Sequence, residues 1–100
     1  MNVEITQKDN QVLVTIEGRL DTVTSSEFEK NLTPYFSMQS LELELDCASM
    51  EYISSAGLRV VLMTHKNITA KGGQFIIRNL TKEVRSVFDM TGFSRILTIE

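Results

Sequence analysis

The sequence predicts a single α/β domain over residues 1–100, built on a mixed, mostly parallel sheet with helices packed mainly on one face. The main observation is the hydrophobic period, which switches between two residues, typical of strands, and about 3.6, typical of helices. The resulting order is β-β-α-β-α-β-α-β. Strands that alternate with helices pair in parallel through right-handed crossovers. The length of 100 residues leaves no room for a second domain.

An antiparallel strand pair is predicted at the N-terminus. Apolar residues alternate with polar ones over 3–5 and again over 12–16. The polar run 8–10 between them has the composition of a tight turn. Two strands this close in sequence pair antiparallel, because a parallel connection needs a dozen or more residues.

The first helix is predicted to begin at a capping box, Thr24-Ser25-Ser26-Glu27. In this pattern the Thr24 hydroxyl caps the helix and Glu27 reaches back to the amide of the cap residue. Pro34 follows near the end of the apolar pattern. Since proline removes a helical donor, the helix is expected to kink there or to finish as a separate turn.

The third strand is predicted to have one apolar and one acidic face, because leucines alternate with acidic residues over 41–46. Cys47 is expected to end this strand as a small buried residue. The acidic face indicates that the helices do not cover both sides of the sheet equally.

The second helix is predicted from an apolar face formed by Leu58, Val61 and Leu62, with His65 at the border of the core. The Lys-Gly-Gly run 71–73 is expected to end it.

Two further elements complete the chain. The continuous apolar run 75–77 predicts a central strand, and Thr81 is expected to cap a third helix that Gly92 terminates. Apolar residues at 96, 97 and 99 predict a last short strand.

Composition disfavours several classes of function. The net charge of -3 and the pI of about 5.1 supply no basic patch for nucleic acid or for an anionic membrane surface. The longest apolar run, 60–63, is too short for a signal peptide or a transmembrane span. A single cysteine cannot form an intrachain disulfide. These features predict a cytoplasmic protein that binds neither nucleic acid nor membrane.

Catalytic and cofactor sites are also disfavoured. If one helix holds both, His65 lies ten residues from Ser55, or about 15 Å, whereas a catalytic pair needs about 3 Å. One cysteine and one histidine do not make a common zinc site, and no glycine-rich nucleotide motif is present.

A magnesium-dependent phosphoreceiver domain is a weaker hypothesis. Asp21, Asp46 and Glu51 could gather at one edge of the sheet, but the acidic pair and late lysine of receivers are not evident. We therefore predict no enzyme activity, no metal and no cofactor.

The junction between the third strand and the second helix carries two adjacent hydroxyls, Ser54 and Ser55, followed by Gly57. Serine is a preferred N-cap, but one serine suffices for a cap. Glycine is a poor residue in a first helical turn, and it would permit the close approach of a partner. Strand-to-helix junctions are also where ligands usually bind on α/β sheets. The pattern leaves open a simple cap and a chemical switch.

Three segments give the chain a resemblance to the STAS domain family, specifically to bacterial anti-sigma factor antagonists. The segments are Gly-Arg-Leu-Asp at 18–21, Tyr-Ile-Ser-Ser-Ala-Gly-Leu at 52–58, and Val-Arg-Ser-Val-Phe-Asp-Met-Thr-Gly-Phe at 84–93. The second is similar to the phosphorylation loop of the family, and the third to its last helix. The resemblance covers essentially the whole chain.

The resemblance implies regulation by partner switching. The unmodified antagonist binds an anti-sigma factor that is also a GHKL-type serine kinase, and phosphorylation of the loop serine releases it. A PP2C-type phosphatase reverses the modification. Aligned on the Gly-Leu pair, the phosphoacceptor falls on Ser55. The implied partner-binding residues are Asp21, Tyr52, Ser54, Ala56, Gly57, Leu58 and Arg59.

The chain departs from the family on both sides of Ser55. Ser54 stands where the family usually has aspartate, and Ala56 where it has serine or threonine. Ser54 is therefore an alternative acceptor, although we expect Ser54 to be the N-cap of the second helix and Ser55 to carry the phosphate. These departures also motivate a second hypothesis, a phosphorylation-independent scaffold subunit of a transporter or signalling complex.

Overall fold

The computed structural model describes residues 1–100 as a five-stranded sheet with three α-helices, in the predicted order. The strands are β1 Asn2–Lys8, β2 Gln11–Leu20, β3 Glu42–Ile53, β4 Gln74–Arg78 and β5 Thr98–Ile99. The helices are α1 Ser25–Leu32, α2 Ser55–Ala70 and α3 Lys82–Thr91, with 3₁₀ turns at Thr33–Tyr35 and Phe93–Arg95. The spatial order is β1-β2-β3-β4-β5, with β1 antiparallel to β2 and all other pairs parallel. The predicted fold class is confirmed.

The helices cover one face of the sheet. Buried and exposed residues alternate along β2, where Val12, Val14 and Ile16 are buried and Leu13 is 41% exposed. The same alternation in β3 leaves its acidic residues on the uncovered face, as the sequence predicts. The buried side chains of the sheet and helices form one cluster, whose largest members include Phe28 of α1 and Phe88 of α3. None of the three helices combines the length and the apolar character that a membrane span requires.

The start of α1 differs from the predicted capping box. Thr24 has helical backbone angles, and its side chain makes no capping hydrogen bond to the helix. Its hydroxyl lies 2.8 Å from the carbonyl oxygen of Arg19 instead. Asp21, three residues earlier, accepts the amides that open this segment. The capping box is wrong because Thr24 does not have the extended backbone of a cap, and its amide, which Glu27 would accept in a capping box, is donated to the Asp21 carboxylate. Pro34 does finish the helix as a separate 3₁₀ turn.

The third strand is longer than predicted. Cys47 is buried, as expected, but β3 continues past it to Ile53. The extension pairs with the end of β2 across two register shifts, between Thr15 and Glu17 and between Gly18 and Arg19. These irregularities interrupt the alternation of apolar and polar residues along the strand. The hydrophobic period of the sequence therefore does not reveal the second half of β3.

The last two strands also differ from expectation. The run 75–77 lies in an interior strand, but the middle position of the sheet belongs to β3, and Ile76 is only half-buried. The last strand contains only Thr98 and Ile99, while Ile96 follows a 3₁₀ turn and is 52% exposed.

The helix ends otherwise follow the sequence signals. Thr81 accepts the amide of Val84 and caps α3, and Gly92 ends α3 with a φ of 81°. Within α2, Val60 and Val61 are buried while Leu62 is half-buried. The predicted apolar face is therefore rotated slightly toward Val60.

Candidate functional site: two strand-to-helix junctions

Two junctions meet at one edge of the sheet, because β2 and β3 end side by side. Leu20 pairs with Ile53, and the Ser54 amide donates a hydrogen bond to the Leu20 carbonyl at 2.9 Å. We call residues 21–24 the β2–α1 junction and residues 54–57 the β3–α2 junction. Asp21, a predicted site residue, directly follows Leu20, whose carbonyl accepts the Ser54 amide. The two junctions are therefore adjacent.

Ser54 is the N-cap of α2. Its backbone is extended, with φ -94° and ψ 174°, and its Oγ accepts the amide of Gly57 at 3.2 Å. The Ser54 carbonyl accepts the amide of Leu58 at 2.9 Å, which closes the first turn of the helix. The prediction that Ser54 is the cap is confirmed.

Ser55 is the first residue of α2 and is exposed. Its hydroxyl makes no side-chain hydrogen bond within the protein, in contrast to that of Ser54. Neighbouring Ala56 is half-buried. The junction therefore presents one hydroxyl that already has a structural partner and one that is free for chemistry.

Gly57 is required by packing inside the domain. A Cβ atom at this position would lie 2.8 Å from Leu20 Cγ, 2.9 Å from Leu20 O and 3.0 Å from Ile53 Cγ1. Gly57 is buried, and Leu58 beside it is only 5% exposed. The close approach of β2 therefore explains Gly57 without a partner, and a contact of Gly57 with a partner stays a prediction. Both residues lie beneath the surface that the junction presents.

Asp21 organises the β2–α1 junction. Its Oδ1 accepts the amides of Val23 and Thr24, each at 3.0 Å, and lies 3.1 Å from the Thr24 hydroxyl. The Thr24 hydroxyl in turn accepts the Asp21 amide at 2.9 Å. The backbone hydrogen bond from Thr24 is the main reason that the pKa of Asp21 lies below its ordinary value. Burial is the second-largest influence and opposes this lowering, while the Thr24 hydroxyl, the Val23 amide and the Arg19 cation lower the pKa further.

A cation and an aromatic ring flank the junctions. The guanidinium of Arg19 lies 4.1 Å from the centre of the Tyr52 ring, a cation–π contact, and its Nε is 4.0 Å from Asp21 Oδ2. Tyr52 is 40% exposed. This contact joins paired residues of two neighbouring strands beside the β3–α2 junction.

Val23 is a surface residue that the sequence prediction missed. It is 81% exposed, although it is apolar and lies in the β2–α1 junction. A single valine between Thr22 and Thr24 gives no periodic signal. Its only sequence cue is its place directly after the Gly-Arg-Leu-Asp segment.

The other side chains that could take part in chemistry are hydrogen-bonded within the domain or buried. No group of three or more His, Cys, Asp or Glu side chains converges to hold a metal ion. Asp46 accepts the Ala48 amide at 3.0 Å and the Asn79 side-chain amide at 3.1 Å. Burial, with a smaller effect of Asp46, raises the pKa of the Cys47 thiol to about 12, which leaves it unreactive.

Together these features define a small α/β domain that presents an exposed serine, a stacked tyrosine and an apolar valine at one edge of its sheet. The chain belongs to the STAS domain family, whose family model matches residues 2–100.

Its relatives include the anti-sigma-B factor antagonist of Bacillus subtilis (strain 168), which is 29% identical over 99 residues. That alignment covers 99% of this chain and 90% of the relative.

Two solved structures confirm the fold. An anti-sigma-factor antagonist (STAS) domain protein from Planctomyces limnophilus superposes with a TM-score of 0.87 at 13% identity, over 97% of this chain and 87% of that one. The Bacillus cell fate determinant SpoIIAA in its phosphorylated form gives a TM-score of 0.77 at 16% identity, over 99% and 91% of the two chains.

Proposed function

We propose that this protein is a cytoplasmic anti-sigma factor antagonist that works by partner switching, with Ser55 as the phosphorylated residue. The observation that carries the proposal is the unbonded, exposed hydroxyl of Ser55 at the β3–α2 junction. The names of the relatives support the same class of regulator. In its unmodified form the protein binds an anti-sigma factor of the GHKL serine kinase type, and a PP2C-type phosphatase restores that form.

Ser55 is a better acceptor than Ser54 for a structural reason. The Oγ of Ser54 accepts the Gly57 amide, so phosphorylation there would disturb the cap of α2. Phosphorylation of Ser55 leaves that hydrogen bond in place. The phosphate would also lie at the positive end of the α2 dipole, where negative charge stabilises a helix. Modification at Ser55 is therefore compatible with the folded domain.

Release of the partner follows from charge. A phosphoserine adds about -1.5 to -2 charges at neutral pH, and a partner surface that accepts a neutral hydroxyl would have to bury them. The surface affected contains Tyr52, Ala56 and Arg59 around Ser55, with Val23 and Asp21 on the neighbouring junction. Gly57 and Leu58 support it from beneath.

The test uses the intact protein, a GHKL-type serine kinase from the same organism, and ATP, with the phosphate mapped by mass spectrometry. We expect one phosphate, on Ser55, in the wild type and in Ser54→Ala, and none in Ser55→Ala. A phosphate that persists in Ser55→Ala would remove Ser55 from this role. Binding of the kinase without any phosphorylation would favour the scaffold function instead.

Addition of a PP2C-type phosphatase tests the reverse step. Phosphorylated protein should fail to bind the kinase in a pull-down and should regain binding after the phosphatase treatment. Equal binding of both forms would contradict partner switching even if Ser55 is the phosphorylated residue.

A further inference from the structure

Arg59 is an exposed cation on α2 with no partner in the folded protein. The four ion pairs of the domain involve Arg19, Arg78 and Arg85, and Arg59 takes part in none of them. Its side chain also makes no hydrogen bond. The first turn of α2 contains no acidic residue that could engage it. Arg59 thus presents a free, exposed guanidinium in the second turn of α2.

Ser55 lies one helical turn before Arg59. Both belong to the same uninterrupted helix, and both are exposed. Residues four apart on a helix have their Cβ atoms about 5–6 Å from each other, and the pairing is most favourable when the anion precedes the cation. A phosphate on Ser55 would be the anion in that orientation. Guanidinium groups also match phosphate oxygens in a bidentate geometry.

We propose that Arg59 is the internal counter-ion of a phosphate on Ser55. This proposal rests on the proposed modification of Ser55 and describes how the phosphate changes the surface that the partner binds. In the unmodified protein Arg59 is free to pair with a carboxylate of the partner. In the modified protein the phosphate occupies Arg59, so the partner loses a cation and meets a phosphate at the same surface. Arg59 is a positioning residue, because it acts through the phosphate.

Other cations are poorly placed for this role. Arg19 is engaged with the Tyr52 ring and lies 4.0 Å from Asp21. Lys66 is on the same helix, but eleven residues after Ser55, which corresponds to about 16 Å along the axis. Of the two Lys and Arg residues on α2, Arg59 is therefore the one at helical pairing distance from Ser55.

The experiment introduces phosphoserine at position 55 during translation, so that no kinase is needed, and follows its ³¹P chemical shift from pH 4 to pH 8. A nearby cation favours the dianion and lowers the second phosphate pKa, which is ordinarily about 6. From the usual strength of such helical pairs, we expect this pKa to be about 0.2–0.4 lower in the wild-type background than in Arg59→Gln. Arg59→Lys should keep part of the difference, and 1 M NaCl should reduce it.

Two matched controls test the specificity of the pairing. Phosphoserine at position 54 is five residues before Arg59, so its pKa should not respond to Arg59→Gln. Lys66→Gln removes one charge from the same helix and should leave the pKa of phosphoserine 55 unchanged. Equal pKa values in the wild-type and Arg59→Gln backgrounds would overturn the proposal. Equal responses at positions 54 and 55 would also overturn it, because they would indicate a general field effect.

This result is independent of the kinase test. If the kinase does not modify Ser55, the proposed function fails while the measured pairing still stands. If the kinase modifies Ser55 but the pKa of the phosphate is the same with and without Arg59, only the proposed role of Arg59 is wrong.

Discussion

The two junctions at the sheet edge are closed by different chemistry. In the β2–α1 junction, one carboxylate oxygen of Asp21 accepts two backbone amides and lies 3.1 Å from a hydroxyl. In the β3–α2 junction, the Ser54 hydroxyl accepts one amide, and the next hydroxyl is left without a partner. The first junction therefore binds its polar groups internally, whereas the second keeps Ser55 available. A residue that closes a junction is poorly suited to be modified there, and this contrast separates Ser54 from Ser55.

The largest expected effect comes from filling the contact between the junctions. Gly57→Ala would place a Cβ atom 2.8–2.9 Å from Leu20 atoms, including a backbone oxygen that cannot move aside. We expect the free energy of unfolding to fall by about 1–3 kcal/mol, although alanine is the better helix former by about 1 kcal/mol. Urea unfolding would measure the change. Ser55→Ala is the matched control, and a Gly57→Ala variant as stable as this control would contradict the packing role.

A smaller effect should separate the two serines. Ser54→Ala removes the cap of α2 and should lower the free energy of unfolding by about 1 kcal/mol. Ser55→Ala removes an unbonded surface hydroxyl and should change it by less than about 0.5 kcal/mol. The two variants differ by one position and have the same composition, so the comparison isolates the cap. Equal losses in both variants would mean that Ser55 has a structural role as well.

The smallest expected effect is the pH dependence of the stability that Asp21 contributes. Because the folded-state pKa of Asp21 lies below its ordinary value of 3.8, the ionised carboxylate stabilises the fold above that value. This contribution is lost as the pH falls through the lowered pKa. In Asp21→Asn the side-chain oxygen can still accept hydrogen bonds, but it carries no charge. Unfolding measured between pH 7 and pH 2 should show the wild type more stable at neutral pH and the difference disappearing in acid. A difference that is independent of pH would argue against the carboxylate interactions at this junction.

The sequence predicts those features that depend on local or periodic signals. The element order, the Ser54 cap and the Gly92 helix end are all confirmed. The predicted capping box at Thr24 is wrong because the Thr24 amide is donated to Asp21, three residues earlier, and the sequence pattern does not show which carboxylate accepts it. The surroundings of Gly57 could not be predicted, since the two nearest atoms that exclude a side chain belong to Leu20, far away in sequence. That contact depends on the register of β2 against β3.

The pairing of β2 with β3 also determines when the junctions exist during folding. Residue 11 pairs with residue 42 and residue 20 with residue 53, so each contact closes a loop of about 30 residues. Contacts of this range form late and cooperatively compared with helices. A peptide with the sequence of residues 51–59 has the serines but not the Leu20 carbonyl that receives the Ser54 amide. The β3–α2 junction is therefore a property of the completed fold, and an enzyme that recognises its shape acts only on chains that have finished folding.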